Sequence, residues 1–516
     1  MSEKKIRNRW LVVVGALLVQ LCLGAIYAWG AFTDGLKSSQ ADMAFTVSPG
    51  LLGVADKADL ARYDEVKAQV TAAKKEIKNL KEQLKKSDSA EIKSQVDTRQ
   101  AQLDELLAGV LDSSGGTGVF SFTKEQLSRL RKYTFNFSAT QLMAIFSVGL
   151  ASFAVTMIKA GRIQDKIGPQ KLAIAGGLVL AAGYILAGLV GTSFVGLLIF
   201  IGLIGGAGIG LGYVCPIAAC VKWFPDLKGF VTGLAVAGFG AGAFIFLKLA
   251  GGWGNLVYNH GISYTFIAFG VIFAVCVTIG GLLLTNPPAG WKPPKWNPKT
   301  GAGGATKSKV KDLAQGEIIK TPQFWMIWTA FVFSAGCGLM VIGNLKDFGI
   351  SAGLSGEAAG TALGLLALFN GLGRIAWGTI SQKLTAKMSL VLMAMLQGVM
   401  MFMLVKMGGS TLALGIAGCW IGFNFGGNFA LFPLLTLENF GGKNLGANYG
   451  AVFTAYGVGG IAGPIIAGYF RDSLGKFGPS FIIAAVACIA AALIGFALRP
   501  PKLEPAEEAV AAAEAD

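Results

Sequence analysis

Apolar stretches of about 20 residues, parted by short polar turns, recur along almost the whole chain, and each is long enough to cross the hydrocarbon core of a bilayer. The pattern predicts spanning helices at 10–33, 137–158, 171–191, 194–221, 229–256, 262–285, 322–346, 358–381, 388–407, 411–436, 446–469 and 478–498. Two polar segments interrupt it. In the first, 45–133, Tyr63, Val66, Val70, Ala73, Ile77, Leu80 and Leu84 recur at steps of three and four. Ile92, Val96, Leu103, Leu106 and Val110 resume the pattern after Lys86-Ser87-Asp88-Ser89. That spacing predicts two amphipathic helices folded as an antiparallel hairpin, followed by a flexible linker over Ser113–Gly118. Such an insert is either a decoration dispensable for the core or a docking or gating element. The second segment, 287–321, is rich in Pro, Gly and Lys and separates six spans from six.

Composition strengthens the membrane reading. The 516 residues are 53% hydrophobic and 14% charged, too few charges to cover a core of that size in water. The expected fold class is an all-α membrane protein of twelve transmembrane helices with an extracytoplasmic helical-hairpin insert. Its parts are 1–44, the insert 45–133, 134–286, the linker 287–321, 322–499 and a disordered Ala/Glu-rich tail 500–516. The net charge of +15 would suggest nucleic acid on a soluble protein. Here the cations fall in short loops, which instead sets orientation. An even number of spans puts both termini on the same side, the basic start Lys4-Lys5-Ile6-Arg7 and the basic loops make that side the cytoplasm, and the expected location is a bacterial inner membrane. The first apolar run is longer than a signal-peptide core and is expected to stay as a span. Seven scattered cysteines without a CxxC pair, and the lack of a Ser-His-Asp set or phosphate loop, argue against an enzyme and against metal or cofactor. A monomer is expected.

The halves repeat each other. Gly161-Arg162-Ile163-Gln164-Asp165-Lys166-Ile167-Gly168, expected as the loop after span 2, resembles Gly378-Thr379-Ile380-Ser381-Gln382-Lys383-Leu384 after span 8. Aligning Gly233 with Gly450 also pairs Gly240 with Gly457, Gly242 with Gly459 and Gly251 with Gly468, at the same offset near 217. Two parallel six-helix repeats are the architecture of the major facilitator superfamily, in which substrate binds near the bilayer midplane between the halves.

Four motifs make the resemblance more specific. They are Asn8-Arg9-Trp10 through Gly24-Ala25-Ile26-Tyr27-Ala28-Trp29; Gly208-Ile209-Gly210-Leu211-Gly212-Tyr213-Val214-Cys215-Pro216 followed by Lys222-Trp223-Phe224-Pro225; Asn370-Gly371-Leu372-Gly373-Arg374; and Asn448-Tyr449-Gly450. With them the chain resembles the oxalate/formate antiporter family of that superfamily, and the related monocarboxylate carriers share the arginine of span 8. The segment Gly161–Gly168 resembles the superfamily's signature loop, whose aspartate would be Asp165; Gly161, Asp165 and Gly168 are its conformational residues. The resemblance covers all but the insert.

A carrier of small anions needs a cation at membrane depth, where an unused charge is costly. Arg374 lies about 24 Å into span 8 by the helical rise, and its fork matches a carboxylate. The alternative is a structural arginine bonded to backbone carbonyls. Asn370 stands one turn before it, where proton-coupled monocarboxylate carriers often have an aspartate. Lys248, toward the outer end of span 5, either snorkels to the interface or offers a second charge. The resemblance places Tyr456 where oxalate carriers have a lysine. Tyr27, Tyr213 and Tyr456 are candidate hydrogen-bond donors, and Phe425 and Phe429 a candidate apolar wall. Three functions fit: a carrier of monocarboxylates such as lactate, pyruvate, formate or acetate, with protons as a candidate coupling ion; an oxalate-type dicarboxylate exchanger using Lys248; and a transporter-like sensor signalling through its insert.

Overall fold

The structure, a computed structural model, describes residues 8–87, 89–114, 119–288, 291–293 and 312–501. The expected basic start at Lys4–Arg7, the glycines at 115–118, most of the linker and the C-terminal tail lie outside the described residues.

Among the described residues, eleven helices are long and apolar enough to cross a membrane: Trp10–Thr33, Thr140–Ile167, Pro169–Leu189, Phe194–Trp223, Lys228–Ala250, Leu256–Leu283, Pro322–Ser351, Ala358–Leu384, Ala386–Leu404, Leu445–Arg471 and Gly478–Ala497. A twelfth, Thr411–Phe440, matches them in length. Its buried asparagines, Asn424, Asn428 and Asn439, lower its hydropathy, and two of them bond to other helices of the second half. The Trp377 indole donates to Asn424 Oδ1 at 3.2 Å, Asn424 Nδ2 donates to Gln397 Oε1 at 3.1 Å, and Ser334 Oγ donates to Asn428 Oδ1 at 2.6 Å. Numbered in chain order, these helices are spans 1 to 12. The protein is thus an all-helical, multi-pass membrane protein.

Several helices outrun their apolar cores. Span 2 belongs to a helix that continues to Ile167, so the stretch expected as a loop from Gly161 is its last two turns. Charge at the membrane boundary does not stop a helix. Gly168 does, at φ 86, and Thr385 makes the same turn at φ 75 after span 8. The two stand 217 positions apart, the offset of the glycine register.

Helices Lys57–Ser87 and Ala90–Leu111 form the expected hairpin, bridged by Arg99 and Glu76 at 3.0 Å. The insert holds more than the hairpin. A third helix, Lys124–Tyr133, and short turns before the hairpin close a separate apolar core containing Met43, Leu52, Tyr63, Val66, Phe120, Phe122 and Leu130. The Tyr63 hydroxyl donates to the Ala44 carbonyl at 2.9 Å, and Lys74 pairs with Asp42 at 2.5 Å. The insert rests on span 6: Ser48 N donates to the Tyr258 carbonyl at 2.7 Å, and the Tyr133 ring lies against Gly261. The chain leaves the bundle at Leu36 and returns at Phe137, whose N–H donates to the Leu36 carbonyl at 2.8 Å.

The two ends of the insert are therefore adjacent. Replacing 38–136 by a short Gly/Ser loop should leave the melting temperature of the solubilised protein within a few degrees of the parent. Excising only 57–111 strands Phe120, Phe122 and Leu130 in water and should cause aggregation on size exclusion. Loss of the folded bundle in the first variant would show that the insert holds the core together.

Candidate functional site

The two halves meet where glycine allows backbones to touch. Near the end of the bundle that carries the termini, Gly161 of span 2 packs on Gly446 of span 11, and Gly229 of span 5 on Gly378 of span 8. A side chain at any of these would overlap the facing backbone. One turn inward, Gly450 packs on the Met157 carbonyl and Gly233 on the Arg374 carbonyl. These contacts are copies of one another, since Gly161 and Gly378, Met157 and Arg374, Gly229 and Gly446, and Gly233 and Gly450 each stand 217 apart. Farther toward the insert both pairs of helices diverge. A Cβ on Gly240 would reach Gly371 at 3.4 Å, and one on Gly457 would reach Ala154 at 3.5 Å. Beyond that, Gly364 and Gly360 on the same face of span 8, and Gly468 on that of span 11, have nothing within 4 Å. The bundle is closed at the termini end and splayed at the insert end.

Asp165 holds the closed end. Its carboxylate accepts the N–H groups of Gly446 and Ala447 at 3.2 and 2.9 Å, where span 11 begins. A negative charge there caps orphan amides and complements the helix dipole. Gly161 supplies the close approach and Gly168 the turn behind it.

Arg374 sits where the splay begins and is fully buried. Nη1 donates to the Val236 carbonyl of span 5 at 2.7 Å, and Nε to Asn370 Oδ1, one turn away, at 3.2 Å. The guanidinium lies over the Phe429 ring of span 10 at 4.2 Å and 5.7 Å from that of Phe239. Nη2 is buried without a hydrogen-bond partner. Among the described residues no acidic side chain pairs with Arg374. The groups that face it electrostatically are the phenols of Tyr213, Tyr27, Tyr456 and Tyr449. Both readings of the arginine therefore meet in one residue: one arm is bonded to backbone, another is uncommitted.

Tyr27 of span 1 and Tyr456 of span 11 join the halves through a hydrogen bond between their hydroxyls. Tyr213 and Tyr449 interact with each other, yet neither hydroxyl has a partner at normal hydrogen-bond geometry. Phe453 packs on Tyr213, Tyr449 and Tyr456 at 5.3, 5.7 and 5.2 Å between centroids, and Phe239 on Tyr27 and Tyr213 at 5.5 and 5.4 Å. The structure thus gathers Arg374, Asn370, Tyr27, Tyr213, Tyr456 and Phe429 into one cluster. It sets two candidates apart. Phe425 stands behind Phe429, at 5.5 Å between centroids, pressed against Gly338 of span 7. Lys248 is about 18 Å along span 5 from Val236 by the helical rise, with its ammonium 5.7 Å from the Phe244 ring. Phe239 and Phe453 enter unannounced, and Tyr449, marked in the sequence only as part of a motif, joins them. Tyr449, Phe453 and Tyr456 fall at i, i+4 and i+7, a helical face legible in the sequence.

Residues 113–464 match the Major Facilitator Superfamily. The chain belongs to this superfamily. The oxalate:formate antiporter of Oxalobacter formigenes is 29% identical over 363 residues, covering 68% of this chain and 82% of that one. Apicoplast pyruvate carrier 1 of Toxoplasma gondii is 25% identical over 511 residues, covering 87% and 81%. The proton:xylose symporter XylE, solved bound to 6-bromo-6-deoxy-D-glucose, superposes with a TM-score of 0.57 at 11% identity over 94% of both chains, a likeness of fold alone. The resemblance to the oxalate/formate antiporter family is thus shared by sequence relatives, and the transporter fold by solved structures.

Backbone contact at the closed end makes a direct prediction. Gly161→Val and Gly378→Val should each lower the melting temperature by a few degrees, since overpacking costs about 1–3 kcal/mol. The sites lie in separate inter-half contacts, so the double variant should fall by nearly the sum. Unchanged melting in both single variants would show that these backbones do not touch in the purified protein.

Proposed function

We propose that this superfamily member carries small organic monoanions, of the lactate, pyruvate, formate and acetate class, across the membrane by alternating access. The observation that carries the reading is Arg374: a buried cation without an acidic partner among the described residues, one N–H arm uncommitted, ringed by phenols at the apex of a cleft between the halves. A carboxylate bound there regains the charge-assisted hydrogen bond that Nη2 lacks. The stacked aromatic rings offer the small apolar end a surface, and Asn370 steers the guanidinium. Relatives named as an oxalate:formate antiporter and a pyruvate carrier support a carboxylate cargo. In the same reading the termini lie in the cytoplasm of a bacterium and the insert outside, so the cleft opens outward. The carrier works as a monomer, since each chain holds its own site, and protons are the candidate coupling ion.

Arg374→Ala should abolish uptake into proteoliposomes while membrane insertion and melting stay near the parent. Arg374→Lys should also fail, because a point charge does not reproduce the fork. Substantial counterflow by either variant would remove Arg374 from the site. No counterflow of any carboxylate by the parent would favour a sensor.

Charge count argues for monoanions over oxalate. One arginine leaves the second carboxylate of a dianion desolvated and unpaired, at a cost of several kcal/mol, where about 1.4 kcal/mol is a decade of affinity. Lys248 is too far along span 5 to pair with it in this conformation. Lactate and pyruvate should therefore displace labelled substrate from both the parent and Lys248→Ala, with oxalate inert. Strong displacement by oxalate in the parent, lost in Lys248→Ala, would establish the dicarboxylate exchanger instead.

A further inference from the structure

Residues 312–318 end the linker between the halves and lead into span 7. They are bound to the second half by a dense set of hydrogen bonds. Leu313 N donates to the Phe440 carbonyl at 3.1 Å, and the Leu313 carbonyl accepts Asn444 Nδ2 and Asn448 Nδ2 at 3.1 and 2.9 Å. Asp312 Oδ1 accepts the Lys443 N–H at 2.9 Å. Leu313 and Ile318 are buried. The segment therefore moves with the second half. Gln315 is buried at its centre, 5% exposed, and uses both ends of its amide. Nε2 donates to the Ala447 carbonyl at 2.9 Å, at the start of span 11. Oε1 accepts Nε of Arg162, which belongs to span 2 in the other half.

We infer that Gln315 is a positioning residue of the transport cycle, a bolt whose bond to Arg162 holds the termini end shut and is released each time that end opens. Opening requires spans 2 and 11 to part, which breaks the Asp165 bonds to Gly446 and Ala447 and the glycine contact beside them. Gln315 must then release one partner. Its bond to Ala447 lies within the second half and survives the motion; its bond to Arg162 crosses between the halves and does not. Arg162 carries a full charge, so the bond is of the stronger, charge-assisted kind. It is counted only in the closed state, and a bond present in one of two conformations biases the population between them. The linker thus does more than tether the halves, because its last turn tunes how often the termini end opens.

The test is hydrogen–deuterium exchange on the full-length protein in nanodiscs, without substrate. Arg162→Ala and Gln315→Ala should each speed exchange about tenfold in peptides covering 161–168 and 441–450, the change expected when a charged hydrogen bond leaves a two-state equilibrium. Exchange should slow reciprocally in 356–366, where the insert end draws together. Arg162→Ala/Gln315→Ala should go no further than Gln315→Ala alone, because that variant has already lost the bond to Arg162 along with its own bond to Ala447. Faster exchange at the termini end without slowing at the insert end would mean local loosening and overturn the bolt. Unchanged exchange, or additive effects, would overturn it as well. None of these readouts depends on which anion is carried.

Discussion

Everything in this bundle depends on how closely four helices approach at one end. Spans 2 and 11, and spans 5 and 8, touch backbone to backbone at the termini end, and only a residue without a side chain permits that. The approach does three things together. It seals the closed end, lets Asp165 reach the first amides of span 11, brings the Val236 carbonyl within reach of Arg374, and sets the pivot from which the helices splay toward the insert. A larger residue at Gly233 would displace the backbone that carries the arginine. Packing and chemistry at the site are therefore one constraint.

The same contacts reveal what the two halves do not share. Each of the glycine contacts between the halves has its copy 217 positions on, but the position equivalent to Arg374 is Met157. Backbone geometry follows the repeat, and the charge breaks it. The frame is symmetric with one buried cation added in one half, and aromatic rings from both halves face that cation. Matched glycine contacts with a single off-axis cation are the arrangement on which the proposed reading of a small monoanion rests.

Much of this was legible in the sequence, for identifiable reasons. Hydropathy located the spans because twenty apolar residues have few other uses, and the glycine register located the contacts because small residues at one offset repeat a packing surface. Arg374 stood out because a charge in an apolar run is rare. Phe239 and Phe453 were missed, and Tyr449 was read only as part of a motif, because aromatic residues are ordinary filling in such helices, and only the fold tells a lining ring from a packed one. Gln315 was invisible for the opposite reason, being a polar residue in a polar linker without a period. The insert was half legible. Its hairpin followed a heptad pattern, whereas Phe120, Phe122 and Leu130, which complete its core, lie outside that pattern.

The position of the insert has a consequence for how the protein is made. Roughly a hundred residues separate the first span from the second, so the two cannot enter the bilayer together as a helical pair. In the proposed orientation, with the termini in the cytoplasm, the first helix would leave the translocation channel alone and wait in lipid while the insert is threaded across and folds around its own apolar core. Long segments of this kind cross largely regardless of their charge. Only then does the second helix emerge, and the bond between Phe137 and Leu36 can close. In that orientation, assembly of the first half would be timed by the folding of a domain that lies outside the membrane.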